Sequence, residues 1–349
     1  IDENGRYMTR DGNPLPPIPL EVFSTCNPSG AGHAAVKRRF INPARSGQFI
    51  VIQTEVFDPR KKENVIVTKR QVAIFGSYRE NIYLSPAYIA ELDRLTARNM
   101  NLRKAWLMGS WDVTAGGAID DLWDSDIHVI EPFKIPDGWY MDRAFDWGSS
   151  HPFSVGWWAE ANGEEIVMPT GEIFAPVAGS LILVAEWYGT DEIGSNVGLK
   201  LSAKNIAKGI LEREELWAPV GIRPGRVFPG PADNQIYAVT ETDTDTIAKK
   251  MADIGVTWER SDKSPGSRIN GLQLLRDRLE ASITGEGPGF YVFRTCEAAV
   301  ELLPALPRDE KIIDDVDTAS EDHCYDMSRY RVLKANNRAA QSINLKFAF

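Results

Sequence analysis

The sequence predicts an α/β fold, and two observations predict it. From Gly138 onward, short apolar runs rich in β-branched and aromatic residues alternate with longer stretches of helical spacing. The first of those apolar runs also follow one another before any helical stretch, the order expected of an antiparallel meander. With 349 residues and 43% hydrophobic content, the chain can bury a substantial core, enough for one large domain and part of another.

In chain order, residues 1–19 are polar and proline-rich and begin without methionine, as the interior of a longer protein would. Residues 20–26 read as a strand leading into Asn27-Pro28-Ser29-Gly30-Ala31-Gly32-His33, a small-residue loop suited to cradling phosphate. It is not a Walker A loop, because no Gly-Lys dipeptide occurs in the chain. The basic run Lys37-Arg38-Arg39, taken alone, reads as a solvated face. Residues 49–57 and 65–75 read as strands around a charged turn. Ser85 as N-cap and Pro86 at the first helical position start a helix through Met100. Thr114-Ala115-Gly116-Gly117-Ala118 is a linker, which puts a domain boundary between residues 110 and 138.

Beyond it, strands are expected at 143–145, 153–159, 165–168 and 181–188, and a helix at 202–216. A strand at 227–228, helices at 244–254 and 269–282, a strand at 291–293 and a helix at 297–303 follow. Of the pair Trp157-Trp158, one ring should be buried, because consecutive strand residues face opposite sides.

Candidate chemistry sits at the ends of these elements. Arg143-Ala144-Phe145-Asp146-Trp147-Gly148 ends an apolar strand on a carboxylate. An unpaired charge removed from water costs several kcal/mol and needs a partner or a metal. A turn aspartate before glycine is the plain alternative. Asp233 occupies a similar place after residues 226–229, and residues 321–330 read as a helix start with Thr318 and Glu321 at capping-box spacing. On that helix Asp322, His323 and Asp326 are three and four apart and share a side. Acids from two strand ends and one helix can hold two divalent cations about 4 Å apart, the arrangement used for in-line phosphodiester cleavage. Lys263 and Arg268 flank the start of the 269–282 helix, where free backbone N–H groups and two cations make a phosphate grip or an ordinary solvated helix start.

Composition narrows the class. No apolar run approaches a membrane span and no signal-peptide pattern opens the chain. Cys26, Cys296 and Cys324 lack metal-site spacing, and an odd count argues against a disulfide framework and for a reducing cytosol. Residues 1–110 carry 16 basic and 10 acidic side chains, whereas the remainder carries 23 basic against 39 acidic. The half with the candidate acids is therefore electronegative, and a polyanion needs metal ions or local basic patches to approach it.

Several segments together resemble the large terminase subunit of tailed bacteriophages, the motor-nuclease that packages viral DNA. Thr25-Cys26-Asn27-Pro28-Ser29-Gly30-Ala31-Gly32-His33 with Ala34-Ala35-Val36-Lys37-Arg38-Arg39-Phe40 looks like the end of that family's ATPase domain. Asn81-Ile82-Tyr83-Leu84 and Gly109-Ser110-Trp111-Asp112 are similar to the segment joining ATPase to nuclease. Phe145-Asp146-Trp147-Gly148 and Glu321-Asp322-His323 through Asp326-Met327-Ser328-Arg329-Tyr330 resemble the nuclease motifs.

The resemblance implies a ribonuclease H-like nuclease at 126–349, a mixed sheet with three antiparallel first strands flanked by helices. Residues 1–125 would be the remainder of the ATPase domain and its linker, with Thr25 and Asn27 left from the segment coupling hydrolysis to movement. ATP hydrolysis is not expected of this chain alone. Asp146, Asp233 and Asp326 match the family's metal-binding acids, for two Mg2+ or Mn2+ ions, with His323 as accessory group and Lys263 and Arg268 toward DNA. The first gap, 87 residues from Asp146 to Asp233, is long for the family and points to an inserted hairpin near 164–183. Double-stranded DNA, a small terminase subunit and a portal protein are the implied partners, in the host cytoplasm and with no membrane. Two alternatives are another ribonuclease H-like nuclease of resolvase or transposase type, and a catalytically silent DNA-clamping or portal-docking module.

Overall fold

The computed structural model describes residues 10–11, 22–26, 36–97, 100–111, 117–239, 245–309, 311–312 and 314–346. Asn27 and the whole small-residue loop through His33 lie outside them; Thr25 is exposed. Residues 22–26, expected as a strand, are irregular, with no ladder partner among the described residues.

The N-terminal part holds an antiparallel ribbon, β1 (Phe49–Asp58) and β2 (Glu63–Val72), in which each of ten residues faces one on the partner strand. Asp58 turns the ribbon by accepting the Arg60 N–H at 2.9 Å. Ser85 caps α1 (Pro86–Thr96) as expected, accepting the Tyr88 N–H, but the helix ends before Met100, which opens α2 (Met100–Met108).

From Ala118 the chain enters the main core. The elements are α3 (Ser125–His128), β3 (Val129–Ile130), β4 (Tyr140–Asp146), β5 (Ser154–Glu160), β6 (Ile166–Val167), β7 (Ile173–Phe174) and β8 (Leu181–Tyr188). They continue as α4 (Ala203–Leu216), β9 (Pro231–Ala232), α5 (Ile247–Ala252), β10 (Glu259–Arg260), α6 (Ser267–Thr284), β11 (Phe290–Phe293), α7 (Glu297–Leu302) and α8 (His323–Lys346). The described residues form one seven-stranded sheet in the order β10-β9-β4-β5-β8-β11-β3. β5 runs antiparallel to both of its neighbours, β4 and β8. β9 and β10 continue in parallel on one side, and β11 and β3 on the other. This mixed sheet with helices on both faces has the meander expected of a ribonuclease H-like fold. β6 and β7 form a hairpin within residues 164–183, where the sequence reading placed one.

Both Trp157 and Trp158 are fully buried, because both faces of the sheet are covered. Trp157 meets Trp217 edge-on and donates to Glu214 on α4; Trp158 packs on Phe290 and Met327 on the opposite face. The same alternation governs β4. Arg143 pairs with Glu214 at 2.6 Å on the α4 side, while Asp142 pairs with Arg331 of α8 at 2.6 Å. All four of these charged groups are buried. Leaving one buried partner without the other costs about 3–5 kcal/mol, so these pairs fix the register of both helices on β4.

Two expectations fail for identifiable reasons. Residues 227–228 make only a single bridge, Phe228 to Asp142, because Pro229 and Pro231 deny the ladder its donors; the strand that reaches Asp233 is β9. The capping box of Thr318 and Glu321 is not formed either. Glu321 instead accepts the Tyr188 hydroxyl at 2.9 Å and the Gly194 N–H at 3.2 Å, and α8 begins at His323. No described helix is long and apolar enough to cross a membrane.

Candidate active site

Alternation along β4 sends Asp142 and Asp146 to the face covered by α8. Asp146 is its last residue, paired with Ser154. Gly148 makes the following turn possible, since a Cβ there would lie 2.2 Å from the Pro152 carbonyl oxygen. Asp233 comes from the adjacent parallel strand. Its N–H donates to the Phe145 carbonyl at 2.9 Å, which places it beside Asp146, and its carboxylate caps the short turn Asn234–Tyr237. Close approach of β9 to β4 depends on Gly230, where a Cβ would stand 1.8 Å from the Arg143 carbonyl oxygen. Asp326 is in the first turn of α8.

Tyr330, one helical turn beyond Asp326, joins these groups. Its hydroxyl lies 3.2 Å from Asp146 Oδ1 and 3.2 Å from Asp326 Oδ2, and it accepts from Lys263 Nζ at 2.9 Å. Lys263 also pairs with Asp233 Oδ1 at 3.2 Å. The three sequence-predicted acids are thus connected through one phenol and one ammonium. Asp326 is braced further by Arg329, 3.0 Å away.

His323 contacts Asp146 Oδ2 through Nδ1 at 3.0 Å and the Asn196 side chain through Nε2 at 3.2 Å. Asn196 sits at φ 53° in the loop after β8, and its carbonyl oxygen is 3.2 Å from His151 Nδ1. The loop is therefore tied to the helix start by both Asn196 and Glu321. Arg268, the other expected DNA contact, pairs with Asp315 at 3.0 Å and with the Val316 carbonyl.

The electrostatics follow from crowding. Burial raises the Asp146 carboxyl to about 6; His323 opposes the shift, and Asp326 and Asp233 add to it. Burial lifts Asp322 to about 7, with Asp326 and Asp146 pushing the same way. Burial pulls His323 down, but its bond to Asp146 and the neighbouring acids outweigh burial and move it up. Three acids, Asp146, Asp233 and Asp326, share the cluster with the Lys263 ammonium and the Arg329 guanidinium. Carboxylate oxygens are the donors that hard divalent cations select. In donor type and charge the residues therefore fit such an ion. Among the described residues, no three His, Cys, Asp or Glu side chains are grouped around one point so as to hold it as they stand.

Sequence reading missed Tyr330 and Asn196 as parts of the site. Tyr330 had a signal, the four-residue spacing from Asp326; Asn196, in an irregular loop, had none.

The architecture defines a mixed α/β protein whose strand ends and longest helix gather a buried acidic cluster. Solved structures to which the chain is similar include large terminases, the family its sequence resembles. The nuclease domain of the P22 large terminase aligns with a TM-score of 0.42 and 18% identity over 64% of this chain and 93% of that one. The large terminase of a thermophilic bacteriophage aligns with a TM-score of 0.43 and 16% identity over 88% of this chain and 61% of that one, so the chain spans about three fifths of that protein. The large terminase nuclease from another thermophilic phage, G20c, solved with bound cobalt, aligns with a TM-score of 0.38 and 8% identity over 62% of this chain and 97% of that one. No protein-family model matches the sequence, and no curated protein matches it.

Proposed function

We propose that this chain is a metal-dependent DNA endonuclease of a phage DNA-packaging motor, cutting concatemeric viral DNA by phosphodiester hydrolysis. The observation that carries this reading is the meeting of Asp146 and Asp326 on the Tyr330 hydroxyl, with Asp233 held to the same point through Lys263. Asp146, Asp233 and Asp326 would hold Mg2+ or Mn2+, two ions in the full reading. Such ions generate a nucleophile from water near neutral pH and stabilise the leaving oxygen.

The chain's own residues do the rest. Asp146 orients the His323 ring through Nδ1 and the Asn196 side-chain oxygen accepts from Nε2, so the imidazole holds a proton at Nε2 and would pass it only as that bond opens. Tyr330 and Arg329 orient the Asp146 and Asp326 carboxylates, and Lys263 balances charge at Asp233. In this reading residues 126–349 are the nuclease and residues 1–125 the end of an ATPase domain. The partners are double-stranded DNA, a small terminase subunit and a portal protein, in the host cytoplasm.

The test is plasmid nicking and linearisation with Mg2+, Mn2+, Ca2+ or EDTA, beside Asp146→Asn and Asp326→Asn. Cleavage supported by Mg2+ or Mn2+ and lost in both variants is the expected result; cleavage that persists in both ends the assignment. A second reading, a silent DNA-clamping module, draws on Lys263, whose ammonium already neutralises Asp233. It requires DNA binding with neither cleavage nor Mn2+ binding by calorimetry.

A further inference from the structure

One face of α8 continues past the acids. Asp326, Tyr330, Lys334 and Arg338 recur every four residues and form a single stripe. At 1.5 Å per residue the stripe runs about 18 Å, the length of about five nucleotide steps in a duplex strand. Its far half opposes the outer strand β10 across a cavity of about 480 Å³, lined by Tyr140, Arg260, Ser261, Tyr330, Lys334 and Arg338 among others. Tyr330 belongs to both places, so the cavity adjoins the carboxylate cluster.

The charges in this cavity fall into two groups. Lys334 is internal: its ammonium pairs with Asp142 at 3.1 Å and Glu259 at 2.8 Å. Asp262 turns an oxygen to the Ser264 N–H at 2.9 Å. Arg260 and Arg338 are different. The Arg260 guanidinium lies 4.2 Å above the Tyr237 ring and the Arg338 guanidinium 4.1 Å above Tyr140. Both side chains are exposed, and Arg338 makes a long ion pair with Glu160 at 3.5 Å. A guanidinium stacked on an aromatic ring keeps N–H donors for phosphate, and on Arg338 one of them already donates to Glu160 at 3.5 Å, a contact a phosphate would compete with. In the same cavity Ser261 is 5% exposed, and its buried hydroxyl has no hydrogen-bond partner. A buried hydroxyl without a partner is unfavourable unless a ligand or water supplies one.

We propose that this cavity is a phosphate-binding subsite for the nucleic-acid strand being cut, gripping its backbone through Arg260 and Arg338 with the Ser261 hydroxyl as an uncharged donor. The subsite rests on the nuclease reading, since it adds a grip next to the acids rather than a second activity. Contacts of this kind position a strand without reading its sequence.

The experiment is fluorescence anisotropy of a labelled duplex with the full chain in EDTA and in Ca2+, for wild type, Arg260→Gln, Arg338→Gln and the double variant, across a salt series. The expected result is about tenfold weaker binding in the double variant and a salt slope shallower by roughly one for each lost phosphate contact. Arg260→Lys should recover the slope but only part of the affinity, because the charge returns without the flat fork. In cleavage assays the loss should fall on KM. Unchanged affinity and slope in the double variant would overturn the subsite even with cleavage intact, and so would absence of DNA binding by wild type. Failure of the nuclease reading shows separately, as DNA bound with the arginine dependence but never cut.

Discussion

Lys263 Nζ stands 2.9 Å from the Tyr330 hydroxyl, so a tethered positive charge already occupies the meeting point of three carboxylates. A divalent cation arriving there competes with it. Replacing Lys263 by Met removes the competitor and should tighten Mn2+ binding several-fold, a change of about 1 kcal/mol. Calorimetry on the two proteins decides it; weaker Mn2+ binding in the variant would mean that Lys263 holds Asp233 in place rather than competing.

Asp146→Asn and Asp326→Asn should each lower the cleavage rate by about three orders of magnitude, equivalent to ~4 kcal/mol of transition-state stabilisation. In metal-free buffer at neutral pH, Asp146→Asn should melt no lower than wild type, because it deletes a buried charge that folding disfavours. A variant that melts far below wild type yet still cuts would make Asp146 a structural acid.

Asn196 can be dissected by two substitutions. Its backbone at φ 53° suits Gly and strains Ala, whereas both replacements remove the amide next to His323. Asn196→Gly and Asn196→Ala should therefore slow cleavage alike, by about tenfold (~1.4 kcal/mol). Only the alanine variant should lose thermal stability. Equal melting with unequal rates would detach Asn196 from His323.

Glu186 predicts a pH dependence away from the acids. Its carboxylate accepts the Ala298 and Ala299 N–H groups at 2.6 and 3.0 Å, and burial lifts it to about 7 despite them. The folded state holds this proton above the pH at which the unfolded chain releases it. The group therefore adds stability below about pH 4.5, and that stability fades as pH rises toward about 7. Denaturant midpoints should fall across that window, and Glu186→Gln should flatten the decline. A slope that survives in the variant would assign it to other groups.

Much of this was legible in the sequence because period and polarity carried it. The meander showed in the apolar runs ending at Asp146 and Tyr188, and the 181–188 strand matches β8 residue for residue. His323 and Asp326 declared themselves by helical spacing. What stayed hidden depended on distant partners. Glu321 has capping-box spacing from Thr318, yet Tyr188 and Gly194, far away in the chain, claim its carboxylate. Trp157 and Trp158 could not both be placed inside, since which helix covers each face is a tertiary fact. Lys263 as partner of Asp233 likewise depends on β9 and β10 lying side by side.

The hairpin of β6 and β7 leaves the sheet at the end of β5 where Glu160 faces Tyr140, opposite the end where Ser154 faces Asp146. Seven residues of strand separate the two ends, roughly 20 Å. Length and composition in that hairpin are therefore decoupled from the acids. A dye, a tether or an affinity tag inserted near Gly171, whose surroundings are open, would report on the protein in a working assembly from the far end of the strand that carries Asp146.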